Sequence, residues 1–139
     1  MTENIAGKVM TVHGPISPED LGFTLMHEHL FIDLRRYHLL HGRDIAVPGR
    51  SQPISTTKDF AATELAQWES HVSIGNLNFP NELAPVSDQW VLADEQLATQ
   101  ETLEFKRRGG GTIVDVTNIG LKRDPAALKR VSSATGLHI

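Results

Sequence analysis

The stretch FTLMHEHLFI, residues 23–32, decides the fold. It is an apolar run with polar interruptions. Its length and its aromatic and β-branched content predict a strand buried on both faces, as in a parallel sheet. His27, Glu28 and His29 stand inside it. Side chains alternate faces along a strand, so His27 and His29 point the same way and Glu28 the other way. Two imidazoles so placed can share a metal ion. On a helix they would lie roughly 200° apart, and joint ligation would fail. The spacing is not the helical zinc-protease pattern H-E-x-x-H, whose histidines sit at i and i+4. Spacing alone leaves two readings open. One is a catalytic zinc site, in which an open coordination position lowers the pKa of water to about 7. The other is a hydrogen-bonded pair at the end of a buried strand. Two histidines on one buried face cost desolvation unless something uses them.

Upstream, residues 8–13 (KVMTVH) predict a short strand that Gly14 and Pro15 break. Ser17 and Pro18 open a short helical turn, as cap and first helical residue, and Leu21-Gly22 close it. Downstream, residues 33–92 read as a long insertion punctuated by Pro48, Pro53, Pro80 and Pro85. One helix fits inside it, from Thr57 to about Glu69, with Ala61, Leu65 and Trp68 on one face. Trp68, Phe79 and Trp90 either anchor this insertion or shape a pocket, with anchoring the simpler role. A helix is predicted from Asp94 to Arg108, acidic at its start and basic at its end, in keeping with the helix dipole. Its apolar face is Leu97, Ala98, Thr102 and Phe105, and Gly109-Gly110-Gly111 stop it. That glycine run follows a helix and precedes a strand, the reverse of a phosphate loop. Residues 112–118 (TIVDVTN) predict a strand. Asp124, Pro125 and Gly136 then frame a helix, with Leu128 and Val131 on its inner face. Leu137-His138-Ile139 begins a third strand. Alternating β and α units of this kind build a parallel sheet.

The chain has 139 residues, 40% hydrophobic and 22% charged, which is globular composition. A net charge of −4 gives no nucleic-acid footprint. No stretch approaches the apolar length of a membrane span, and no signal peptide is evident. With no cysteine, disulfides, thiolate nucleophiles and cysteine zinc sites are excluded, and a cytoplasmic setting is expected.

Two runs carry a family resemblance. GKVMTVHGPISPEDLGFTLMHEHLFID (Gly7–Asp33) resembles the opening of phosphotriesterases and phosphotriesterase-related proteins. FKRRGGGTIVDVTNIGLKRDPAALKRVSSATGLHI (Phe105–Ile139) resembles the next section of the same family, in the same order. The resemblance implies an α/β fold, the N-terminal part (about three strands) of a (β/α)8 TIM-type barrel of the amidohydrolase superfamily. It implies two divalent metals, commonly zinc, whose bridging hydroxide attacks a phosphotriester, carboxylester or lactone. His27 and His29 match the family's first-strand ligands of the more buried metal. The remaining family ligands are a carboxylated lysine, two histidines and an aspartate from later strands, which this sequence does not reach. A complete barrel usually needs about 250 residues. The chain is therefore expected to be an incomplete piece of one barrel domain, inactive alone, with exposed apolar faces and unpaired edges. The expected partner is a small ester, lactone or organophosphate. The family often forms dimers, so a homodimer is one expected assembly.

Weaker candidates remain. His38 and His41 stand three apart in LRRYHLLHGRD and would share a helix face. They are simplest as surface residues. Lying just after the first strand, where barrel active sites sit, they are also candidates for substrate contact. Asp115, inside an apolar strand, needs partners. It serves either as a structural hydrogen-bond acceptor or as a support that orients a metal ligand from behind. Two rivals stand beside the enzyme reading: a non-catalytic metal-binding or interaction fragment, and a nucleotide-binding domain, which the lack of a G-x-G-x-x-G after a strand disfavours.

Overall fold

The computed structural model describes residues 5–36, 57–76 and 86–139. His38, His41, Phe79 and the four insertion prolines fall outside them. The chain groups into two compact units. One contains the residues up to Ile32 and from Leu92 onward, and the other is Asp33–Val91.

The first unit opens with β1 (Val9–Thr11) and β2 (Gly14–Ile16), an antiparallel hairpin with Thr11 opposite Gly14. The sequence predicted that Gly14-Pro15 ends a lone strand. Instead they belong to the returning strand. Gly14 adopts φ +118°, open to glycine, and the Thr11 hydroxyl donates to its carbonyl at 2.8 Å. The turn after Ser17 forms as Pro18–Asp20, but the Ser17 hydroxyl accepts from Lys8 Nζ rather than capping it.

The strand β3 is shorter than predicted. It runs Phe23–Glu28, and the path resumes as β4 (Ile32–Asp33). β3 pairs in parallel with β6 (Gly110–Asp115), Leu25 opposite Ile113 and Glu28 opposite Asp115, with a register irregularity between them. The third strand announces itself at the chain's end. Ile113 N–H donates to the His138 carbonyl at 2.8 Å, and His138 N–H donates to Gly111 at 3.0 Å, a parallel bridge. The order is therefore β3, β6, then residues around His138.

Two helices complete the unit, numbered after α1 (Ala62–Trp68) of the other unit: α2 (Glu95–Arg107) and α3 (Pro125–Thr135). Asp94 and Asp124 cap them, accepting from Leu97 N and Ala127 N at 2.9 Å. Gly136 ends α3 at φ +68°. Leu128 and Val131 are buried with Ala127 and Phe31, and Leu30, Ala98 and Ile139 pack against this cluster. On α2 the predicted face is only half realised: Thr102 is buried, whereas Leu97 is exposed. The Thr102 hydroxyl donates to the Ala98 carbonyl, which satisfies it within the helix. Arg130 binds Glu95 through two nitrogens and links the two helices.

The triple glycine is more than a helix stop. Gly109 ends α2 at φ +94°, but Gly110 and Gly111 already belong to β6. A Cβ on Gly110 would overlap the Phe105 ring, and one on Gly111 the Leu21 carbonyl. Close approach fixes both positions, of an aromatic ring at Gly110 and of the backbone at Gly111.

In the second unit, β5 (Val91–Leu92) stands at its far boundary. The predicted helix begins later, since Ala61 is an exposed N-cap rather than part of an inner face. Glu64 reaches back to Ala61 N–H at 2.6 Å. Trp68 is buried and meets the Phe60 ring edge-on at 5.7 Å, an anchoring contact. Arg35 makes a bidentate pair with the buried carboxylate of Asp33. Among the described residues no helix is long and apolar enough to cross a membrane.

Candidate metal centre

β3 and β6 run parallel, so both carboxyl ends lie at the same edge of the sheet. His27 is the penultimate residue of β3, and His29 stands one residue beyond it. Their rings come together, with centroids 5.8 Å apart and planes at 78°. Two imidazoles bound tetrahedrally to one zinc, at about 2.0–2.1 Å per nitrogen, would hold their centroids about 5 Å apart. The observed pair is close to that spacing. His27 is exposed and His29 half-buried.

β6 supplies the supports. Asp115 is its last residue, and its carboxylate accepts two backbone N–H groups, Leu30 at 2.9 Å and Thr117 at 3.0 Å. It thereby ties the chain just past His29 to the chain just past β6. Among the described residues, Asp115 makes no hydrogen bond to either imidazole; Thr117 does. The Thr117 hydroxyl lies 2.8 Å from His29 Nδ1. Thr117 is 2% exposed, so its side chain has no water to fall back on. Sequence reasoning passed over Thr117 as one more strand residue. The signal that could have found it is its place two residues after Asp115, at the same strand end as the histidines.

The donor set fits a divalent ion as part of a shell. With Nδ1 engaged by Thr117, Nε2 is the nitrogen of His29 left to face a ligand. Zinc sites take three or four protein ligands. The described residues bring together two, and no group of three or more His, Cys, Asp or Glu forms among them. A separate apolar cavity of about 560 Å³ is lined by Met10, Thr24, Met26, Val114 and Leu128. Neither His27 nor His29 lines it.

A parallel β/α alternation with an imidazole pair at the carboxyl ends of its strands is the arrangement of an opening (β/α)8 barrel segment. The chain belongs to the phosphotriesterase family, whose profile matches residues 7–139. It is 34% identical over 138 residues to an N-acetyltaurine hydrolase of Tetraodon nigroviridis, covering 98% of this chain and 34% of that protein. It superposes on a resiniferatoxin-binding protein from Rhodobacter sphaeroides with a TM-score of 0.69 at 33% identity, covering 96% of this chain and 32% of that one. A lactonase from Listeria monocytogenes shares the fold at a TM-score of 0.55 and 23% identity, covering 95% of this chain and 26% of that one. The chain thus spans about a third of the length of the relatives it matches. The fold is the N-terminal part of a (β/α)8 barrel.

Proposed function

We propose that this chain contributes the first-strand ligands of a zinc-dependent hydrolase, His27 and His29. The observation that carries the proposal is the convergence of the two rings at 5.8 Å, with His29 held by Thr117 at the carboxyl end of a parallel pair. A divalent ion held there would supply Lewis acidity and lower the pKa of water to about 7. The chain's own residues do the positioning. Thr117 holds the His29 ring from behind, Asp115 fixes the backbone on both sides, and exposed His27 completes the pair. The proposed substrate is a small molecule with an ester, lactone or phosphotriester bond. The name of the Tetraodon relative adds an N-acetyl amide to the bonds worth assaying.

The test is His27→Ala/His29→Ala in the protein made from its complete gene. Bound zinc measured by elemental analysis should fall, and hydrolysis across an ester, lactone, phosphotriester and N-acetyl amide panel should disappear. Full retention of both would overturn the proposal.

A further inference from the structure

Three features stand outside the pair itself. The apolar cavity has nothing on it to say what fills it. His13 Nε2 meets the Ser133 hydroxyl at 3.2 Å, but both are exposed, and that hydroxyl donates to the Lys129 carbonyl of its own helix at 2.9 Å. The contact between Thr117 and His29 goes further.

We infer that Thr117 is a positioning residue that selects which nitrogen of His29 faces the metal. The inference rests on the metal reading above. A threonine hydroxyl can donate or accept, so it satisfies either neutral tautomer of an imidazole. In both cases the hydrogen bond occupies Nδ1. Ligation through Nε2 needs its lone pair free, which places the ring proton on Nδ1 with the Thr117 oxygen as acceptor. Thr117 can hold that oxygen in place because its backbone N–H is fixed by Asp115 at 3.0 Å and its side chain is buried. The device spans both strands: β6 supplies the carboxylate, the residues just past it supply the hydroxyl, and the residue just past β3 supplies the ring.

Nitrogen NMR of the histidine side chains in the metal-free protein from the complete gene, with imidazoles neutral, reads the hydrogen bonding of Nδ1 directly. In the native protein His29 Nδ1 should show the shift of a hydrogen-bonded ring nitrogen, whichever tautomer the ring holds. Thr117→Val, nearly isosteric, should abolish that shift and weaken zinc binding about 10–100-fold, the usual cost of losing such a support. Thr117→Ser keeps the hydroxyl and should restore both. An Nδ1 free of hydrogen bonding in the native protein, or an Nδ1 signal unchanged in Thr117→Val, would overturn the inference. So would a serine variant that folds but fails to rescue. The nitrogen readout needs no bound metal, so it stands apart from the double-alanine test. Zinc retained without the histidines would defeat the proposed function and leave the Nδ1 hydrogen-bond result in place.

Discussion

Thr117 and His29 are 88 positions apart in the chain, yet the hydroxyl of one lies 2.8 Å from the ring of the other. The parallel pairing of β3 with β6 brings them together, since it sets Glu28 beside Asp115 and leaves the next residues of both strands at one edge. Val116 N–H donates to the Glu28 carbonyl at 3.0 Å and carries the ladder to that edge.

Asp115 is expected to matter for stability as well as for the site. Asp115→Ala leaves the Leu30 and Thr117 N–H groups without their acceptor. Each partly buried donor so stranded costs about 1–3 kcal/mol. Hydrogen exchange at these two amides should accelerate, and the denaturation midpoint should fall. Unchanged protection at both would show that the carboxylate is dispensable.

Gly111→Ala is expected to destabilise by about 1–3 kcal/mol or more, the range for overpacking. The added methyl would overlap the Leu21 backbone carbonyl, which cannot swing aside as a side chain can. Gly109→Ala meets no neighbour but sits at φ +94°, so its cost is one of backbone conformation alone. Thermal unfolding of the two variants should rank Gly111→Ala as the more harmful.

Val131 is fully buried in the cluster of Phe31, Ala127 and Leu128. Leu128→Ala should cost about 2–5 kcal/mol through lost burial and the cavity left behind. Leu97→Ala, on the exposed side of α2, should change stability by less than about 0.5 kcal/mol. Comparable losses from both would show that the core is misplaced.

The Arg130 guanidinium, hydrogen-bonded to Glu95, holds that carboxyl below its ordinary value of 4.5. A carboxyl depressed in the folded state contributes stability above its unfolded pKa, and that contribution is lost as pH falls through the folded value. The loss should therefore begin near pH 4.5 and deepen below it. Carbon NMR of the Glu95 carboxyl should show its midpoint rising in Arg130→Gln. An unmoved midpoint would mean that the pair does not hold in solution. Both side chains are exposed, so the effect on stability should be small.

What was legible in the sequence was local. Asp124, Pro125 and Gly136 mark both ends of α3 within a few residues of the groups they cap, and the helix forms between them as predicted. The two-residue spacing of His27 and His29 predicted that their rings share a side, and the rings do meet. Less legible were elements whose signals conflict. Gly14-Pro15 reads as a breaker, but becomes the second strand of a hairpin because Val9 and Ile16 pair across it. The strand through residues 23–32 stops at Glu28, because from there the backbone turns to give Leu30 N–H to Asp115.

The sequence by itself determined the alternation of strands and helices, the helix caps, the histidine pair and the family resemblance. All of these rest on residues a few positions apart or on motif order. Only the tertiary structure decided that Asp115 clamps two backbones, that Thr117 rather than Asp115 holds His29, and that Gly110 and Gly111 admit Phe105 and Leu21. The contacts of Asp115 with Leu30, Thr117 with His29 and Gly111 with Leu21 join distant parts of the chain, and their partners are set by the parallel register of β3 and β6, which local propensity does not encode.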